Sequence, residues 1–143
     1  MKITDPNLPL LEAVAHALGS LCDRFVFVAV QLPSGRAIRL IAPPVFLATK
    51  FEAFHGRGGG DFLASHDLDD VTVVIDGRPE LVEEVTGCAT ELRTYLADEI
   101  ESLIGNAAFL EALSGHLPGD ETSQARLPII REKLRLIIRA GRA

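Results

Sequence analysis

Apolar residues recur along this chain with two different periods, and the switch between them lays out its elements. Leu10, Val14, Ala17, Leu18 and Leu21 fall at helical spacing behind a capping Asp5 or Asn7 and a first-turn Pro9, which predicts an amphipathic N-terminal helix. "RFVFVAVQL" and "RAIRLIA" are rich in β-branched and aromatic residues and are joined by "PSG", predicting a hairpin with strands at about 24–32 and 36–42. Residues 25–30 are apolar on both faces, a pattern that suits an interior strand. Two strands alone are marginal in water, so the hairpin needs helices on a face or strands from a second chain.

From Pro43-Pro44 onward the pattern is helical. "PVFLATKFEAFHGR" is apolar almost all round and reads as the central helix, with Lys50 its one strongly polar intrusion. "GRGGGD" breaks it, and Ser65 caps "HDLDDVTVVID", which carries Asp67 and Asp69 in its first turn. "PELVEEV" follows with Pro79 at its first position, then "ATELRTYLADEIESLIG" with Leu92, Leu96, Ile100 and Leu103 on one face. A short helix around "NAAFLEALSG" and a last helix in "SQARLPIIREKLRLIIRA", begun or kinked at Pro128, complete the chain. The expected fold is α+β in a single domain over 1–143, with a helix and hairpin in 1–42 and a helical bundle in 43–143.

Composition changes this picture little; 143 residues suffice for a real core, and no run approaches the ~20 apolar residues of a membrane span. Two cysteines, Cys22 and Cys88, without a secretion signal read as thiols of a cytoplasmic protein. The net charge of −6 is unevenly spread. Residues 61–101 hold twelve acids against Arg78 and Arg93, whereas residues 126–143 hold six Lys/Arg against Glu132. With no aromatic residues among these cations, a solvated helix face or one turned to the acidic segment is preferred to a nucleic-acid surface.

The candidate chemistry lies in residues 50–70. "GRGGGD" ends in an acid where a phosphate loop needs Lys-Ser/Thr, so its glycines read as a turn. Asp67 and Asp70 share a helix face, as do Lys50 and Arg57 on the helix before, and folding one helix back on the other brings Lys50 to Asp67 or Asp70. On spacing alone this reads as a partly buried ion pair between helices. Asp61, Asp67 and Asp70 as a hard-cation site is a weaker reading, and His55 and His66 lack partners at zinc spacing, so no metal is assigned.

The stretch "APPVFLATKFEAFHGRGGGDFLASHDLDDVTVVIDGRPELVEEV" resembles bacterial nucleotidyltransferase-like proteins of the abortive-infection AbiEii toxin type, and "PNLPLLEAVAHALGSLCDRFVFV" and "LSGHLPGDETSQARLPIIREKLRLI" extend the likeness to nearly the whole chain. The resemblance implies a polymerase-beta-like fold with a helical bundle appended. It breaks where the first strand of such proteins runs into a Gly-Gly or Gly-Ser loop and a strand bearing Asp-x-Asp, because here "FVFV" runs straight into "AVQLPSG". Those acids hold the magnesium ions of nucleotidyl transfer. The resemblance therefore implies an internally shortened, catalytically incomplete protein, a binding or interaction module with no cofactor of its own. Its partners would be a nucleotide, a protein or a second copy paired through the hairpin strand. By motif position Lys50 and Asp67, with Asp70 and Arg57 beside them, would be the remnant nucleotide pocket. Two alternatives stand beside this reading: residual magnesium-dependent nucleotidyl transfer through Lys50, Asp61, Asp67 and Asp70, and nucleic-acid binding through Arg131, Arg135 and Arg139.

Overall fold

The computed structural model describes residues 27–57 and 60–143. The expected N-terminal helix and Cys22 lie outside the described residues. Strand β1 (Phe27–Gln31) pairs antiparallel with β2 (Ala37–Ile41), and the register sets Phe27 opposite Ile41 and Gln31 opposite Ala37. Gly35 takes a left-handed conformation (φ 81°) in the connecting turn, where glycine meets no Cβ penalty. Seven helical segments follow: α1 (Pro43–Gly56), α2 (His66–Gly77), α3 (Leu81–Thr86), α4 (Thr90–Ile104), α5 (Ala107–Ala112) running into a 3₁₀ turn (Leu113–His116), α6 (Glu121–Gln124) and α7 (Leu127–Arg142). The architecture is α+β, a two-stranded antiparallel hairpin leading into a helical bundle.

Helix α1 is buried over most of its length, as its apolar circumference requires. Leu47, Ala48 and Phe51 are fully buried among Leu68, Val71 and Ile75 of α2 and Leu96 and Ile100 of α4, within one continuous core. Helix α7 lies along α4 and α3 and buries Ile130, Leu134 and Ile137. Close contact of α7 with α4 depends on Gly141, where a Cβ would come within 2.4 Å of the Arg93 carbonyl and of Ala97. Ser65 caps α2 by accepting from the Leu68 amide, as the sequence predicts.

Three local expectations shift. Pro79 stands in the turn before α3, which begins at Leu81. The last helix is divided, with α6 capped by Asp120 and α7 begun at Leu127 with Pro128 in its first turn, where a missing N–H costs nothing. Among the described residues the hairpin is not clad by helices: no strand side chain among those described is buried, and of these only Ile41 at its base packs on the core. Among the described residues no helix is long and apolar enough to cross a membrane.

Candidate functional site

Helix α2 packs beside α1. Lys50 reaches across from the third turn of α1. Its Nζ lies 2.6 Å from Asp70 Oδ2 and 3.5 Å from Asp67 Oδ1, and 5.5 Å from the centre of the Phe46 ring. Arg57, one residue beyond α1, donates from its guanidinium to Asp67 Oδ2 at 2.6 Å. Asp67 is thus held between two cations, one at each oxygen, in the first turn of α2, where the helix dipole also favours a negative group. The partners differ sharply in exposure: the Asp67 side chain is 3% exposed, Lys50 24%, Asp70 48% and Arg57 70%. All four residues singled out by the sequence, Lys50, Arg57, Asp67 and Asp70, meet in this cluster.

A cavity of about 260 Å³ opens beside it, lined by Phe54, Arg57, Gly60, Asp61, Ser65 and Asp67 among others. Arg57 and Asp67 face this space; Lys50 and Asp70 do not line it and connect to it through the Asp67 carboxylate. Asp61 spends one oxygen on the loop, accepting from the amides of Leu63 (3.2 Å) and Ala64 (2.9 Å), and so does not join Lys50. Among the described residues no group of three or more His, Cys, Asp or Glu side chains is arranged to hold a metal ion.

Other contacts fasten the site to the bundle. The buried His116 ring bridges α2 and the loop, with Nδ1 against Asp69 Oδ1 and Nε2 at 2.5 Å from the Phe62 carbonyl. Tyr95 donates its hydroxyl to Glu52 at 2.5 Å, and burial together with that carboxylate pushes its phenol well above the usual range. His55 meets Glu99 at 2.6 Å, a second tie between α1 and α4. Sequence reasoning passed over His116 and the Phe54 wall; no spacing rule links positions 54 or 116 to an acid in α2, and only their place in the fold does.

The basic end divides in two. Arg126 meets both oxygens of Asp76 at 3.0 Å, Lys133 donates to the carbonyls of Ile75 (2.7 Å) and Asp76 (3.2 Å), and Arg142 meets Asp98 at 2.7 Å and Glu101. These cations face the acidic segment, and Lys133 closes the carbonyl end of α2, where positive charge is favoured. Arg131, Arg135 and Arg139 stand exposed at one per turn, with Arg135 3.4 Å from Glu132.

Compared with protein-family models, with curated proteins and with solved structures, the chain matches none.

Proposed function

We propose that the chain is a nucleotidyltransferase-like binding module, catalytically incomplete by itself, whose Arg57–Asp67–Lys50–Asp70 cluster engages the phosphates of a nucleotide. The observation that carries this reading is the convergence of all four residues from two separate helices beside one cavity. The exposed Arg57 is the group best placed to leave Asp67 for an incoming phosphate, since a planar fork of donors suits both carboxylate and phosphate. Lys50 then compensates Asp67, whose buried carboxylate needs a cation at all times. Solvent-exposed Asp70 releases Lys50 at little cost, because such surface pairs contribute only about 0–1 kcal/mol. The hairpin supports incompleteness: β1 and β2 carry no acidic residue, and the turn between them is too short for the segment that would bear Asp-x-Asp.

Calorimetric titration of ATP, GTP, CTP and UTP, with and without magnesium, into wild type, Lys50→Ala and Arg57→Ala tests the reading. Binding by wild type that weakens at least tenfold in Arg57→Ala and also falls in Lys50→Ala is expected. No binding by wild type, or equal binding by all three proteins, would leave the cluster a structural clamp. Transfer of label from a bound triphosphate would replace incompleteness with residual catalysis.

A second reading rests on the exposed arginines of α7. If Arg131, Arg135 and Arg139 contact nucleic-acid phosphates, affinity falls steeply with salt and the log–log slope drops by roughly one for each arginine removed. Absent or salt-independent binding dismisses it.

A further inference from the structure

From the edge of the hairpin we infer that β1 pairs with β1 of a second copy about a two-fold axis, joining two hairpins into a four-stranded antiparallel sheet. The first support is the ladder itself. The Leu32 amide donates to the Arg36 carbonyl at 2.8 Å, which makes these residues a hydrogen-bonded pair in the register observed. Alternation along an antiparallel ladder then makes Val30–Ile38 and Val28–Leu40 the next such pairs. The main-chain N–H and C=O groups of Phe27, Ala29 and Gln31 therefore point away from β2, and no strand among the described residues takes them up.

The second support is that nothing among the described residues blunts this edge. Strand β1 reads Phe-Val-Ala-Val-Gln, with no charge, proline or bulge, the devices by which proteins protect open strands. The opposite edge is less suited to self-pairing, because Pro43, in outward phase just beyond β2, has no N–H to give.

The third support concerns the occupant. Strand β1 is nearly symmetric about Ala29. A two-fold through that residue sets Ala29 opposite Ala29 of the other copy and each Val28 opposite a Val30. All the outward groups then pair at once, in about six hydrogen bonds. Pairing also gives the hairpin the strand number it lacks, since its side chains Leu40 (48% exposed), Ile38 and Leu32 (37% each) gain little from the helices. This inference is independent of the nucleotide reading.

Light scattering coupled to size-exclusion chromatography, run at micromolar concentration on the full chain, tests it with wild type, Ala29→Pro and Ala29→Lys. Proline removes the central outward donor without touching the β1–β2 ladder, and lysine puts like charges on the two-fold. Wild type is expected at twice the chain mass and both variants at the single mass, with circular dichroism showing unchanged helix content. Wild type at the single mass, including the case where residues 1–26 or a foreign strand take the edge, overturns the inference. Variants that stay dimeric also overturn it, because the interface then lies elsewhere. Should proline disturb the hairpin, the lysine variant alone decides.

Discussion

Stripping Asp67 of both cations should cost far more than the two single substitutions together. Arg57→Ala removes a pair whose cation is 70% exposed, so screening holds the loss to about 0.5–1 kcal/mol. Lys50→Met keeps the apolar stem over Phe46 and leaves Arg57 on Asp67, and a loss of about 1 kcal/mol is expected. Either change leaves one cation in place. The double variant leaves a carboxylate that is 3% exposed with no opposite charge, and a broken buried pair costs about 3–5 kcal/mol. The coupling between the sites should therefore be about 1–3 kcal/mol. Adding Asp67→Leu to the double variant should restore much of the loss, because an apolar side chain needs no cation. Urea unfolding of the five proteins, with slopes compared to confirm a common unfolded state, measures this directly. A double variant whose loss merely equals the sum of the singles would refute the claim that Lys50 and Arg57 hold one buried charge between them.

Other contacts give further expectations. Lys133→Met removes the cation at the carbonyl end of α2 and should cost about 1–2 kcal/mol in urea unfolding, with faster amide exchange in the last turn of that helix; unchanged stability and exchange would deny Lys133 a capping role. Gly141→Ala drives a Cβ against the Arg93 backbone and Ala97, and should lower stability by about 1–3 kcal/mol, whereas a neutral change would mean that α7 does not seat so closely on α4. The Ser123 hydroxyl and amide hold the Asp120 carboxyl below its usual range. A depressed folded value means that Asp120 stabilises the fold above the unfolded carboxylate value near ~3.9 and that this contribution is lost as pH falls through the lower folded one. NMR titration of Asp120 should place its midpoint below that of a model peptide, and an unshifted midpoint would refute the cap.

Much of this molecule is legible in its residues because local rules and packing agree. Pro43-Pro44, the Ser65 cap and the stripe of Leu92, Leu96, Ile100 and Leu103 each fix an element without help from distant contacts. Helical spacing likewise put Lys50 within reach of Asp67 and Asp70, because each of them lies on the facing side of its own helix once α2 packs on α1. Periodicity cannot report which partner a long side chain selects. It gave no sign that Arg57 rather than Lys50 lines the cavity, or that His116 would reach Asp69 from the far end of the chain. The apolar hairpin is less legible for a related reason: β-branched residues on both faces report what a strand can bury, and not which partner covers it.

The most direct test of the nucleotide reading is a ¹H–¹⁵N correlation spectrum of the chain recorded while magnesium–ATP is added. Shifts confined to the end of α1, the loop at 60–65 and the first turn of α2, and abolished by Arg57→Ala, are the predicted result. A spectrum that does not move, or one that moves only along α7, would contradict a phosphate site at Arg57 and Asp67.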